Sequence, residues 1–172
     1  MCFDRGGDIH VAVDGNFNHR HLRCVSDCPE FYDPEFILPK TEIDAVGHRL
    51  DAKRKRKTPA KKRLVPDAAI DGCQRSHKSG SGSTVKTDMD RFDAGGLMGL
   101  VCRHDIPLFA ANIDTPGEQQ KYAVALIEHL MKLLPPNANV TVLYDVGCVL
   151  DRTLDLVRRA VWTILLLLKQ GP

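Results

Sequence analysis

The segment Val140–Asp151 reads V-T-V-L-Y-D-V-G-C-V-L-D. Its first five residues favour a strand and lead directly into Asp145. Gly147 then turns the chain toward a helix predicted from about Cys148. A carboxylate at the end of a buried strand can cap the next element or bind a metal ion, and this segment alone leaves both interpretations open.

A second apolar strand is predicted at Ile9–Asp14, I-H-V-A-V-D, and it also ends on a carboxylate. If the two strands are neighbours, Asp14 and Asp145 project from the same edge of a sheet. Two like charges held close together favour a cation between them, so the pair predicts a divalent-metal site. Separate turn or capping roles for the two aspartates remain the alternative.

The other predicted elements place these strands in a mixed sheet. His19–Val25 is a weak candidate for an antiparallel partner strand, and Gly95–Ile113 favours one long or broken strand. Thr115, Pro116 and Glu118 form a capping-box pattern that predicts a helix over 116–134. The expected fold class is therefore α/β, with helices packed on a mixed sheet.

Basic residues are concentrated in one segment of this 172-residue chain. The segment 53–63 holds eight of the 24 Lys and Arg residues, leaving 16 basic against 22 acidic residues elsewhere. These eight are Lys53, Arg54, Lys55, Arg56, Lys57, Lys61, Lys62 and Arg63. The segment is interpreted as a DNA-binding arm, a signal for a nuclear import receptor, or a solvated segment without a partner. Because residues 26–91 show no regular period, they are predicted to be a long irregular insertion.

Four Cys and His residues have a composition that suits zinc. Cys73 and His77 are one pair, and Cys102 and His104 are the other. A Cys₂His₂ set satisfies the tetrahedral preference of Zn²⁺, although the spacing is not that of a standard finger. The N-terminus carries no secretory signal, so reduced Cys residues without metal are the alternative.

The apolar run Ala160–Leu168 has nine residues. A helix needs about 20 apolar residues to span a bilayer, so the run predicts a buried helix and no membrane partner.

Four blocks, in order along the chain, resemble the Kyakuja–Dileera–Zisupton (KDZ) transposases. They are D-G-N-F-N-H-R, F-D-A-G-G-L-M-G-L-V-C-R-H-D-I-P-L, N-I-D-T-P-G-E-Q-Q-K-Y and L-Y-D-V-G-C-V-L-D. The resemblance implies a ribonuclease H-like fold and a DDE-type enzyme that cuts and joins DNA with Mg²⁺ or Mn²⁺. It also implies that Asp14 and Asp145 are the first two catalytic acids.

The resemblance implies a third acid on a later helix, and no glutamate follows Glu128. We therefore expect residues 1–172 to form a single partial domain, a truncated or decayed copy whose sheet lacks its last strand and helix. The alternative is a non-enzymatic, zinc-stapled module that binds DNA or a protein. Either protein is expected in the nucleus.

Overall fold

The computed structural model describes residues 9–25, 34–54, 89–117, 119–135, 138–145, 147 and 163–164. Its strands are β1 Ile9–Asn16, β2 His21–Leu22, β3 Phe92–Ala94, β4 Gly96–Cys102, β5 Pro107–Ile113, β6 Val140–Leu143 and β7 Thr163–Ile164. Its α-helices are α1 Lys40–Arg54 and α2 Gln120–Leu133, and a short 3-10 helix covers Arg23–Val25.

The main sheet has the strand order β5-β4-β1-β6-β7. β1 is antiparallel to β4, and β4 is antiparallel to β5. On its other side β1 is parallel to β6, which is parallel to the two-residue strand β7. The predicted α/β class with a mixed sheet and flanking helices is therefore confirmed.

One face of the sheet packs against α1 and α2 to form the core. Val11 and Val13 from β1 and Val142 from β6 are buried there. Alternate residues of a strand point to opposite faces, so Ala12, Asp14 and Leu143 belong to the other face, which we call the second face. Tyr144 is buried and the following Asp145 is exposed, so buried and exposed residues continue to alternate beyond the end of β6.

Helix α1 corrects the prediction that residues 26–91 are irregular throughout. Ile43, Val46 and Leu50 are 3%, 4% and 2% exposed, and they belong to the same core cluster as α2. Their spacing of three and four residues forms a narrow apolar stripe among charged residues, which weakened the periodic signal. Residues 26–33 and 55–88 of the predicted insertion lie outside the described residues.

The partner of β1 also differs from the prediction. Only His21–Leu22 of the segment 19–25 forms a strand, and it pairs with β3 rather than with β1. The predicted long or broken strand supplies the partner instead, because residues 103–106 turn it back on itself as β4 and β5. Asp105, in this turn, has a φ of 60°, and Pro107 begins the returning strand.

Helix α2 begins at Gln120, later than the predicted start at Pro116, and Thr115 does not cap it. The Thr115 hydroxyl lies 2.9 Å from the buried Tyr122 hydroxyl, and Gly117 has a φ of 81° that does not fit a right-handed helix. The predicted capping box is therefore wrong, because the Thr115 hydroxyl contacts the Tyr122 hydroxyl instead of capping the helix.

The C-terminal apolar run also contains a strand. Thr163–Ile164 pairs with β6, contrary to the prediction of a buried helix and of a sheet without its last strand. The β-branched side chains of these two residues favour a strand. The helix predicted from Cys148 lies outside the described residues. No described helix is long and apolar enough to cross a membrane.

Candidate active site

Asp14 lies in β1, and Asp145 follows the end of β6, the parallel strand beside β1. The parallel register pairs Val11 with Val142 and Ala12 with Leu143. Each aspartate follows its member of the last pair by two residues, so continuing the register places Asp14 opposite Asp145. Neighbouring strands lie about 4.8 Å apart, so two carboxylates at matching positions would lie within reach of one ligand.

Asp14 is on the second face, away from the core formed with the helices. It is exposed, and its Oδ1 accepts a hydrogen bond of 2.7 Å from the Gly15 amide. Asp145 is also exposed. Two exposed carboxylates on one face are suited to a hard cation, because Mg²⁺ binds one or two protein carboxylates and completes its shell with water and substrate phosphates.

The donor set therefore fits a divalent metal ion shared with a substrate. Within the described ranges, no group of three or more His, Cys, Asp and Glu residues is arranged to hold a metal ion. Asp14 and Asp145 are thus the two carboxylates that the extended register brings to this level of the sheet.

Beside Asp14, β4 presents a position without a side chain. Gly99 pairs with Asp14, and a Cβ built on Gly99 meets no heavy atom of the described residues within 4 Å. Gly96, three residues earlier, is different: a Cβ there would lie 2.8 Å from the Asn16 carbonyl oxygen. Packing therefore requires a glycine at position 96. At position 99, the glycine leaves open space next to the candidate site.

The candidate zinc ligands lie away from the two aspartates. Cys102 Sγ is 3.7 Å from His104 Nδ1, in the turn between β4 and β5. Cys102 pairs with Val11, so it is three residues, or about 10 Å, further along the sheet than Gly99 beside Asp14. Cys73 and His77 lie outside the described residues, so the structure does not bring the two pairs together.

Most of the basic segment 53–63 also lies outside the described residues. Lys53 and Arg54 form the last two positions of α1. Lys55, Arg56, Lys57, Lys61, Lys62 and Arg63 fall in the part of the chain that the structure does not describe.

Sequence reasoning missed a charged cluster that joins both helices to the end of β5. Lys121 Nζ donates to Asp44 Oδ1 at 2.9 Å, and the Tyr122 hydroxyl donates to Asp114 Oδ1 at 2.6 Å. Lys40 forms ion pairs with Asp44 and Asp114. The hydrogen bond from Lys121, and then the one from Lys40, lowers the pKa of the Asp44 carboxyl, while burial raises the pKa of Tyr122. The contact between Lys121 and Asp44 spans 77 residues, so no local pattern could reveal it.

Arginines surround the short β2–β3 pair, close to the end of β1. The Arg20 guanidinium carbon lies 5.6 Å from the centroid of the Phe92 ring, and that of Arg91 lies 6.0 Å from it. A cleft of about 530 Å³ opens between this region and the start of α1, with Arg20, Lys40 and Asp114 in its walls. The sequence offered two interpretations of Arg20, a phosphate contact near Asp14 or a solvated turn residue. Its aromatic partner, Phe92, is far along the chain and was not predicted.

Comparison with known proteins gave one family. The family model of the Kyakuja-Dileera-Zisupton transposase matches residues 8–163, which covers most of the chain. No curated protein and no solved structure matched.

Proposed function

Because the chain belongs to the Kyakuja–Dileera–Zisupton transposase family, we propose that it performs the chemistry of a DDE-type transposase, metal-dependent cleavage and transfer of DNA strands. Asp14 and Asp145 hold the divalent ion, Mg²⁺ or Mn²⁺, in this proposal. The observation that carries it is the parallel register of β1 and β6, whose last pair, Ala12 and Leu143, lies two residues before each aspartate.

The proposal includes a ribonuclease H-like fold. Two features of the sheet support it: β1, β4 and β5 form an antiparallel meander, and α2 then leads to β6, which is parallel to β1 on its other side. This arrangement places β1 in the middle of the sheet, where its carboxyl end is next to that of β6. A central strand flanked by packed neighbours is a rigid support for a catalytic carboxylate.

The carboxylates contribute position and charge. Asp14 Oδ1 is oriented by the Gly15 amide, and the buried residues Val13 and Tyr144 fix the backbone immediately before each aspartate. When bound, a divalent ion activates the attacking oxygen and stabilises the leaving oxygen in phosphoryl transfer. The third acid that the family resemblance implies is not assigned to any of the described residues.

A nicking assay tests this proposal. Supercoiled plasmid is incubated with the chain and Mn²⁺ or Mg²⁺, and nicked circles are quantified for wild type, Asp14→Asn and Asp145→Asn. Asp105→Asn is the matched control, because Asp105 is exposed in the β4–β5 turn and Asn tolerates its φ of 60°.

Metal-dependent nicking that either active-site variant abolishes and Asp105→Asn retains supports the proposal. Nicking that persists in both Asp14→Asn and Asp145→Asn would overturn it. A wild type that does not nick DNA would remove the proposed catalysis, and Mn²⁺ binding would then test only whether the two aspartates form a metal site.

A zinc-stapled, non-enzymatic module is the second candidate function. Its support is the pair Cys102 and His104, whose S···N distance of 3.7 Å is close to the roughly 3.5 Å that two tetrahedral zinc ligands require. In this candidate Cys73 and His77 complete a Zn²⁺ site, and the basic segment 53–63 binds DNA or a nuclear import receptor.

Zinc content of the purified chain tests this second candidate. One Zn²⁺ per chain that falls in both Cys102→Ser and Cys73→Ser supports it, and a metal-free chain contradicts it. Loss of nuclear accumulation after neutralisation of residues 53–63 is the expected result for the import signal. A nuclear distribution that does not change would remove that role.

A further inference from the structure

Three arginines, Arg20, Arg23 and Arg91, lie in or next to the short β2–β3 sheet, alongside Asp90 and Asp93. We call residues 19–25 and 89–94 the basic ribbon. Arg20 and Arg91, both exposed, lie 5.6 Å and 6.0 Å from the ring centroid of the same residue, Phe92. The cation–π contacts with Phe92 hold the two exposed guanidinium groups near one ring.

Neutral groups hold the arginines of the basic ribbon in place. Arg20 Nε donates to the Phe17 carbonyl at 3.0 Å, and Arg23 Nη2 donates to the Met89 carbonyl at 2.9 Å. The Arg23 amide donates to the Arg91 carbonyl at 3.0 Å, which joins the two halves of the ribbon. These contacts order the side chains and leave their charge in place.

In the helical layer, carboxylates pair with the cations. Arg49 pairs with Glu128, Lys121 with Asp44, and Lys132 with Glu42. Within the basic ribbon, Asp93 Oδ1 contacts His21 Nδ1 at 2.8 Å, and this contact lowers the pKa of Asp93. Asp93 is therefore held by His21.

Phe17 connects the basic ribbon to the candidate active site. Phe17 packs against the core, and its ring and backbone lie over Gly15 and Gly96: added Cβ atoms would approach Phe17 to 3.2 Å and 3.1 Å. Gly15 follows Asp14 directly, and the Phe17 carbonyl accepts the hydrogen bond from Arg20. Arg20 is thus attached to the same end of β1 as Asp14.

From these contacts we propose that the basic ribbon binds the phosphate backbone of the DNA next to the two-carboxylate edge, with Arg20 and Arg91 as the principal contacts. The planar guanidinium groups match phosphate oxygens in geometry and charge. Contacts of this kind orient DNA without reading its sequence. The inference rests on the proposed function for the identity of the partner.

Binding of a 30-base-pair duplex by the full chain, measured by fluorescence anisotropy over a range of salt concentrations, tests the inference. EDTA and the Asp14→Asn background remove cleavage from the measurement. The variants are Arg20→Ala, Arg91→Ala and the pair, with Arg103→Ala as the matched control. Arg103 is an exposed arginine in the β4–β5 turn, at the other end of the sheet from Asp14.

Each ribbon substitution is expected to weaken binding and to reduce the slope of log K against log salt by about 1, and the pair by about 2. Arg103→Ala should leave both quantities unchanged. If alanine lowers the thermal midpoint, Gln replaces it at both positions, since Gln keeps the stem and a donor. Ribbon variants that bind like wild type, or lose no more affinity than Arg103→Ala, overturn the inference.

The two proposals fail in different ways. Duplex binding that depends on the ribbon, in a chain that does not nick DNA, leaves the ribbon inference standing and removes the proposed catalysis. Metal-dependent nicking in a chain whose ribbon variants bind DNA normally removes the ribbon inference and leaves the proposed catalysis standing.

Discussion

Ala12 in β1 pairs with Leu143 in β6, and an aspartate follows each of them two residues later. In the proposed function, this relationship joins two distant short motifs into one site. Asp14 lies on the second face, beside the side-chain-free position of Gly99, and continuing the register by two residues would bring Asp145 to the same level. The proposed function depends on this pairing more than on any single residue.

Helix α1 is expected to be part of the folded core. Leu50 is 2% exposed in the core cluster, so Leu50→Ala should lower the free energy of unfolding by about 2–5 kcal/mol, because it removes buried apolar contacts and leaves a cavity. Urea unfolding measures the change. Leu133→Ala is the control, since Leu133 is 64% exposed at the end of α2. Equal, small effects of both substitutions would show that α1 does not contribute to stability.

Alanine substitutions at Gly96 and Gly99 are expected to affect the stability of the fold differently. At Gly96 the new Cβ would lie 2.8 Å from the Asn16 carbonyl oxygen, so Gly96→Ala should destabilise the fold by about 1–3 kcal/mol. Gly99→Ala should be neutral or stabilise by up to about 1 kcal/mol, because alanine costs less backbone entropy than glycine in a strand. Urea unfolding of the two variants provides the comparison. Comparable destabilisation by Gly99→Ala would mean that another element covers the second face at this position.

Stability is expected to depend on pH through Asp44. Hydrogen bonds from Lys121 and Lys40 lower its pKa in the folded state below the ordinary ~3.9 of an aspartate. The folded state therefore binds this proton less readily than the unfolded state, and the stabilisation is complete above pH ~5. It is lost progressively as the pH falls through ~3.9 toward the lowered pKa.

Asp44→Asn should accordingly reduce the stability near neutral pH and flatten the decline below pH ~5. Urea unfolding between pH 3 and pH 7 measures both effects. If the stability of Asp44→Asn falls with pH as steeply as that of wild type, other carboxylates cause the acid sensitivity.

Local patterns predicted the parts of the fold that depend on neighbouring residues. The apolar runs before Asp14 and Asp145, and the helical stripe that includes Tyr122 and Leu130, all appear as expected elements. The alternation within two strands also indicated that their terminal aspartates could meet. These predictions needed only the periods of strands and helices.

Long-range contacts decided what could not be predicted. Thr115 has the position of a helix cap, yet the Tyr122 hydroxyl engages it. Helix α1 has only a narrow apolar stripe, and its stability comes from packing against α2 and β5 rather than from a strong periodic pattern. The position of Arg20 soon after Asp14 was enough to suggest a phosphate contact, but only the fold showed that Phe92 lies beside it.

The most direct test of the central claim is Mn²⁺ binding, measured by electron paramagnetic resonance on wild type, Asp14→Asn, Asp145→Asn, the double variant and Asp105→Asn. If Asp14 and Asp145 share one ion, each single substitution should weaken binding at least tenfold. The double variant should then be little worse than either single variant, because the interaction is already lost. Asp105→Asn should bind like wild type. Mn²⁺ binding that survives both single substitutions, or that Asp105→Asn weakens equally, would contradict a shared metal site at Asp14 and Asp145.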